Sequence, residues 1–270
     1  MRGSIYKILL LILAMAALQS GLFWTTMQRA EAEFAEQQAA QSQEAASAEE
    51  GLIESAGDWR ARWSNEGYPR IEDIVERSHI EWIWMAALLG LTVILALNGC
   101  QLRGSRFEYT MQRLPMRREG AVLCFALWNT LAALIFWGLS AAALWVLCQM
   151  YLDATDPQYI GPQTAFLAFY RNPLLHSLLP LSDTVCYLRN LILFAGLGIT
   201  TAAFSFWQRQ GRRSPAVFFM GIVLSGFPAS TGETQRAWIQ ICGVLSIAGA
   251  SLYNTLTSCR DEAAADDGCD

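Results

Sequence analysis

Long apolar runs separated by polar connections constrain this chain more than any other feature. Five runs approach or reach the length that crosses a bilayer, and a sixth is shorter. They are the segments 5–24, 82–100, 122–150, 188–207 and 238–256, with 216–227 as the short one. An α-helix rises about 1.5 Å per residue, so about 20 apolar residues match a hydrocarbon layer of about 30 Å. The sequence therefore predicts an all-α, polytopic transmembrane bundle of about six helices, the fifth of them short or re-entrant.

The composition agrees with one transmembrane domain over 1–270. Of the 270 residues, 53% are hydrophobic and 16% are charged, whereas soluble domains average about 25% charged residues. The net charge of -5 comes from the acidic segment after the first run and from an acidic tail, so no nucleic-acid partner is indicated.

The seven Cys residues have no CxxC spacing, and thiols within apolar runs usually act as small hydrophobes. No metal or cofactor site is predicted.

The sequence also argues against an enzyme. Lys7 is the sole lysine, and it is not followed by Ser or Thr as the lysine of a phosphate-binding P-loop is. Gly196 and Gly198 lie within an apolar run, where small residues favour close helix packing over dinucleotide binding. His79 and His176 flank different runs, without the second ligand that a zinc protease motif requires. We predict no catalytic residue in this chain.

Polar residues inside the runs are few. No carboxylate lies within any of them, and a charge at the centre of a membrane helix costs about 2.5–3.5 kcal/mol on insertion scales. A secondary transporter driven by an ion gradient would lack its usual residues here. Asn129 and Thr130 lie in the third run, and we predict that they form hydrogen bonds between helices.

The distribution of arginine predicts a cytoplasmic N-terminus. The connection 101–121 contains five Arg and two Glu, and 208–214 contains three Arg and no acid. The segment 25–78 has five Arg against twelve acids, and 151–187 has a single Arg. Basic connections stay in the cytoplasm under the positive-inside rule. The first two connections, like the N-terminus, are therefore predicted to be cytoplasmic.

Four connections complete the predicted organisation. The segment 25–79 is predicted to be an extracytoplasmic, acidic and partly helical loop, and 151–187 to form extracytoplasmic interfacial helices broken at Pro173. The segment 101–121 is predicted to be a basic cytoplasmic loop of coupling type, and 257–270 a disordered acidic tail.

The first run favours an uncleaved anchor, because its length exceeds the apolar core of about 7–15 residues in a signal peptide. Cleavage near residue 32 is the alternative.

The cytoplasmic loop 101–121 combines basic residues with Tyr and Leu side chains. Such a segment either lies against anionic lipid or docks a soluble partner. Its stretch from Phe107-Glu-Tyr-Thr-Met-Gln-Arg-Leu-Pro115 through Arg118, directly before the third run, resembles the inner loop of ABC transporter permeases of the type 2 exporter class. Two further segments, Phe166-Leu-Ala-Phe-Tyr-Arg-Asn-Pro173 and Phe204-Ser-Phe-Trp-Gln-Arg209, are similar to small bacterial members of that class.

The resemblance implies a function and partners. It implies a permease subunit in the bacterial cell membrane, most readily an exporter, which pairs with a second permease subunit and with a separate ATPase subunit. The ATPase would dock on a coupling helix in the inner loop, with Tyr109, Arg113, Leu114 and Arg117 as the contact residues. The arginines would form charge-assisted hydrogen bonds, and the leucine would provide an apolar anchor. The alternative is a polytopic scaffold, assembly or sensor subunit without transport activity.

Overall fold

The described part of the molecule is entirely helical. The computed structural model describes residues 2–48, 69–97, 118–157, 160–161, 163–181, 183–209, 212, 214–227 and 234–267. Nine helices lie in these ranges. They are α1 (Arg2–Ala48), α2 (Ile71–Arg77), α3 (Ile80–Leu97), α4 (Arg118–Ala154), α5 (Thr164–Arg171), α6 (Pro173–Leu178), α7 (Thr184–Arg209), α8 (Ala216–Ser225) and α9 (Thr234–Asp267).

Five of these helices, α1, α3, α4, α7 and α9, are long and apolar enough to cross a membrane. Leu, Ile, Phe and Trp side chains lie on their exposed faces, as at Leu10 and Leu127, which are 70% and 71% exposed. Such faces are stable against lipid but not against water. The predicted polytopic helical bundle is confirmed, and the chain is a multi-pass membrane protein.

Polar contacts define two ends of the bundle. Arg77 at the end of α2 forms an ion pair of 3.1 Å with Glu33 of α1. The Tyr151 hydroxyl near the end of α4 donates a 2.8 Å hydrogen bond to the carbonyl oxygen of Pro69. We call this end, which also holds the start of α3, the outer end, following the orientation predicted from the arginines. At the opposite, inner end, Arg260 of α9 forms an ion pair of 2.8 Å with Glu119 of α4.

Helix α7 lies between α4 and α9 and packs closely against both. A Cβ atom added to Gly198 would overlap the backbone of Thr130 in α4, and one added to Gly196 would overlap Val244 in α9. The two glycines therefore allow the backbones to approach, as predicted for this pair. The neighbours also set directions: α7 and α9 run from the outer to the inner end, and α4 runs the opposite way.

Asn129 and Thr130 of α4 also form the bonds that were predicted for them. The Asn129 side-chain amide donates to the Thr201 hydroxyl at 3.1 Å, and the Thr130 hydroxyl donates to the Ala195 carbonyl at 3.3 Å. Both bonds join α4 to α7 in the inner half of the bundle. These bonds fix the position of α4 relative to α7 along the helix axis.

Helix α8 is too short to cross. Its 10 residues span about 15 Å, starting at the inner end beside Trp207 and ending inside the bundle. Phe227, just beyond its last turn, is fully buried among residues of α3 and α7. Helix α9 then returns to the inner end, so α8 and α9 form a hairpin whose ends share one side. The short helix predicted for 216–227 is thus present.

Two helices extend beyond the apolar runs that predict them. Helix α1 continues to Ala48, through the Ala-rich and Glu-rich part of the segment 25–79. Helix α9 continues to Asp267, which differs from the disordered tail predicted for 257–270. The ion pair between Arg260 and Glu119 fixes the start of this extension, and the alanines that follow favour a helix.

Candidate functional site

The most unusual side chain in the described bundle is Arg189, which lies on α7 and is fully buried. It follows Leu188, at the start of a long apolar run. Burying a guanidinium within a membrane helix is costly unless partners replace its hydration. An arginine in this position is therefore the natural starting point for a functional site.

The neighbouring residue on α7 provides one set of partners. The Asn190 side-chain oxygen accepts hydrogen bonds from Nε and Nη2 of Arg189, at 3.2 and 2.9 Å. The Asn190 amide nitrogen in turn donates to the carbonyl oxygen of Ser177 at 2.8 Å. Nη2 of Arg189 approaches the same carbonyl at 3.4 Å. Arg189 and Asn190 thus both contact the same carbonyl oxygen near the C-terminal end of α6.

Helix α6 reaches this position because of the sequence at its start. The Asn172 side-chain oxygen accepts hydrogen bonds from the backbone N–H groups of Leu174 and Leu175, at 3.0 and 3.1 Å. Pro173 occupies the first helical position, where its missing N–H costs nothing. The break at Pro173 was predicted. However, Leu174, Leu175 and Leu178 are buried, so α6 points into the bundle instead of lying along the membrane face.

Two more helices meet α6 at its C-terminal end. The Trp137 indole of α4 donates a 3.0 Å hydrogen bond to the carbonyl oxygen of Leu178. The Ser177 hydroxyl donates to the carbonyl oxygen of Phe227, beyond α8, at 3.2 Å. Carbonyls at a helix end carry a partial negative charge and lack partners within the helix. Here donors from α4 and α7 satisfy them.

An aromatic ring lies over the guanidinium. Its Cζ atom lies 4.9 Å from the ring centre of Phe227, within the range of a cation–π interaction. Phe227 stacks on Trp84 of α3, with ring centres 5.0 Å apart, and contacts Phe194 of α7 edge-on at 6.3 Å. We call Ser177, Arg189, Asn190, Phe227 and Trp84 the outer polar cluster. It joins α3, α6, α7 and the tip of α8, and α4 reaches it through Leu178.

Two buried groups near this level lack hydrogen-bond partners among the described residues. The indole N–H of Trp84 has none, and neither polar atom of the Gln19 side chain has one, although both residues are fully buried. Gln19 lies one turn after Met15, whose sulfur is 4.0 Å from the Ser140 hydroxyl of α4. Unsatisfied buried polar groups are rare and usually mark a place for water or a ligand.

The rim of the cluster contains an acid. Asp183 caps α7, since its side chain accepts from the backbone N–H groups of Val185 and Cys186 at 2.9 and 3.4 Å. The Cys186 thiol donates to its second oxygen at 3.2 Å. Burial alone raises the pKa of Asp183. The hydrogen bonds, together with the charge of His176, outweigh that effect, so the pKa lies below its usual value.

The docking residues predicted from the resemblance, Tyr109, Arg113, Leu114 and Arg117, lie outside the described residues, and the described chain resumes at Arg118 with α4. The two histidines are at the outer end: His79 lies in the turn between α2 and α3, and His176 contacts Tyr170. Within the described ranges, no group of three His, Cys, Asp or Glu residues is placed to hold a metal ion.

Comparison with protein-family models, with curated proteins and with solved structures finds no match to this chain. The class of molecule is therefore defined by its fold and its site: a multi-pass helical membrane protein with a buried arginine cluster near its outer end.

Sequence reasoning did not find the outer polar cluster. The signal was present, because Arg189 and Asn190 stand at the start of an apolar run on the side that has few arginines. An arginine there breaks the positive-inside pattern. What the sequence does not reveal is that Ser177 and Phe227, from two different elements, close around it.

Proposed function

We propose that this chain is the membrane-spanning permease subunit of an ATP-driven, ABC-type exporter in the bacterial cell membrane. A separate ATPase subunit would dock on the loop 101–121, and a second permease subunit would complete the path. The resemblance of the segment 107–118 to inner loops of that class supports the proposal. So do the helical membrane bundle and the absence of a P-loop from the sequence.

Helix α4 is the observation that carries this proposal. It begins at Arg118, directly after the basic loop, and continues unbroken for 37 residues, which is about 55 Å. Near its middle, Trp137 bonds to the end of α6, and near its outer end Tyr151 bonds to Pro69. A partner that moves the loop would therefore move the contacts of the outer polar cluster as well.

In this mechanism the outer polar cluster closes the outer end of the path. Arg189 and Asn190 hold α6, while Ser177 holds the tip of α8. Separating α6 from α7 breaks the contact of the charged Arg189 with the Ser177 carbonyl, which contributes about 1.5–3 kcal/mol, and the neutral bond from Asn190, which contributes about 0.5–1.5 kcal/mol. Movement of packed helices as rigid bodies is a common way of switching access. Energy from ATP hydrolysis would drive this separation.

Co-purification from the native host tests the proposal. Complexes of the wild-type chain should contain a P-loop ATPase. A double charge reversal in the inner loop, Arg113→Glu with Arg117→Glu, should remove it, because both docking charges change sign. The control is Arg29→Glu with Arg60→Glu, which makes the same change in the segment 25–79. Stable complexes that never contain an ATPase would refute the permease assignment.

The scaffold alternative is favoured by one observation, the length of α1. This helix has 47 residues, about 70 Å, and it continues for 15 residues after Glu33, which forms an ion pair with Arg77. A helical arm of this kind suits partner binding. Deleting 38–48 distinguishes the two functions: a scaffold should lose its partners, whereas a permease should keep its ATPase and its nucleotide-dependent activity.

A further inference from the structure

A groove lies at the inner end between α7, α8 and α9, away from the outer polar cluster. Its volume is 410 Å³, within the range of about 300–1,000 Å³ that is usual for ligand sites. It forms because α8 is short and meets α9 only along part of its length. Phe219 of α8, with 54% of its surface exposed, forms part of one wall, and Ile247 and Ala250 of α9 form part of the other.

The lining of the groove is mixed in polarity. The apolar side chains just named lie beside the polar groups of Ser214, Ser251 and Asn254 at the inner end, and Ser246 adds a hydroxyl further into the membrane. A groove with both apolar walls and hydroxyl and amide groups matches a molecule that has an apolar chain and a polar head.

A cation stands beside the polar part of the groove. The exposed Arg212 guanidinium lies 5.6 Å from the ring of Trp207, which lines the groove. Its Nη1 donates to the Ser258 hydroxyl at 3.5 Å. The Trp207 indole is itself held by a 3.0 Å hydrogen bond to the Thr255 hydroxyl. The connection 208–214 contains three arginines and no acid, so the local charge complements an anionic head group.

We infer that this groove binds an anionic phospholipid from the leaflet at the inner end. One acyl chain would lie between α8 and α9, and the phosphate would contact Arg212 and the hydroxyl and amide groups of Ser214 and Asn254. Basic residues at a membrane surface attract anionic lipid. The inference depends on the membrane location of the chain and not on the proposed transport function.

Lipid exchange in nanodiscs tests this inference. The purified chain should retain phosphatidylglycerol in preference to phosphatidylcholine, measured by mass spectrometry of the released lipid. Arg212→Gln should lower that preference about fivefold, because this variant removes the basic residue that lies beside the groove. The control Lys7→Gln removes another exposed cation at the inner end and should leave the preference unchanged.

A second pair of variants tests the groove itself. Ala250→Trp fills the groove and should abolish retention of the tightly bound lipid, whereas Leu245→Trp, on an exposed part of α9 outside the groove, should not. Equal retention of both lipids by the wild type would overturn the inference. So would an A250W variant that changes the oligomeric state and leaves lipid binding intact, because a second copy of the chain would then occupy the groove.

Discussion

At the scale of single residues, Arg189 shows how a membrane bundle accommodates a charge. In place of water, the guanidinium contacts the Asn190 side chain, the Ser177 carbonyl and the ring of Phe227. These partners come from α7, α6 and the segment after α8. An arginine with partners on three elements links those elements, so its effect on stability should exceed that of an exposed ion pair.

Replacing the buried arginine should therefore be far more damaging than replacing an exposed one. Arg189→Ala should lower the free energy of unfolding by about 2–3 kcal/mol, because bonds to a charged group are lost. Arg171 provides the matched comparison: it forms an ion pair of 3.3 Å with Glu72, but half of its side chain is exposed. Arg171→Ala should cost no more than about 1 kcal/mol. Denaturant titration in micelles measures both, and equal losses would contradict the role of the cluster.

The Asp183 cap gives a prediction for pH. Its pKa is lowered in the folded state, so the carboxylate adds stability at pH values above its unfolded pKa of about 3.9. This contribution is lost as the pH falls through the folded pKa. Asp183→Asn keeps a capping oxygen but has no carboxylate, so its deficit relative to wild type should be present at pH 7, begin to shrink near about pH 4 and disappear only below the folded pKa.

The same site offers a control for capping alone. Asp183→Ala removes the acceptor for the N–H groups of Val185 and Cys186 and should cost about 1 kcal/mol at all pH values above the titration. Melting temperatures of the three proteins between pH 3 and pH 7 make the comparison. A deficit of D183N that stays constant across this range would show that the charge of Asp183 does not contribute.

At the scale of elements, the sequence predicts which segments are helical better than it predicts which helices meet. Hydropathy identifies the five long helices because each is long and apolar and exposes large apolar side chains. Small residues inside an apolar run usually allow close helix packing, and polar ones usually form hydrogen bonds between helices. The contacts of Gly198 and Asn129 are therefore as predicted. Helix α6 is different. Its six residues are buried because of donors on α4 and α7, and the sequence of α6 itself does not reveal them.

The contact of Gly198 with α4 can be tested directly. Gly198→Ala places a methyl group against the backbone of Thr130, and backbone cannot move aside as a side chain can, so we expect a loss of about 1–3 kcal/mol. Gly138 on α4 is the matched control, because a Cβ there meets nothing within 4 Å. Gly138→Ala should be neutral or slightly stabilising, since alanine favours a helix. Unfolding in micelles distinguishes the two, and a neutral G198A variant would show that α4 and α7 are less closely packed than described.

At the scale of the whole molecule, the hairpin of α8 and α9 determines on which side the chain emerges. With a cytoplasmic N-terminus, five crossings would place the end of α9 outside, and six would place it in the cytoplasm. In the structure α8 begins at the inner end and α9 returns to that end, where Arg260 meets Glu119. Length alone does not predict this, because it depends on the direction in which the short helix enters.

Labelling of single cysteines in intact cells tests this arrangement. In a variant without the seven native Cys residues, Asp153→Cys at the outer end of α4 should react with a membrane-impermeant maleimide. Asp261→Cys, beside Arg260 at the other end, should react only after the membrane is permeabilised, although both positions are exposed. Because the two aspartates lie at opposite ends of the bundle, their labelling must differ in any orientation. Reaction of both from outside would contradict the hairpin, and reaction of Asp261→Cys alone would reverse the orientation predicted from the arginines.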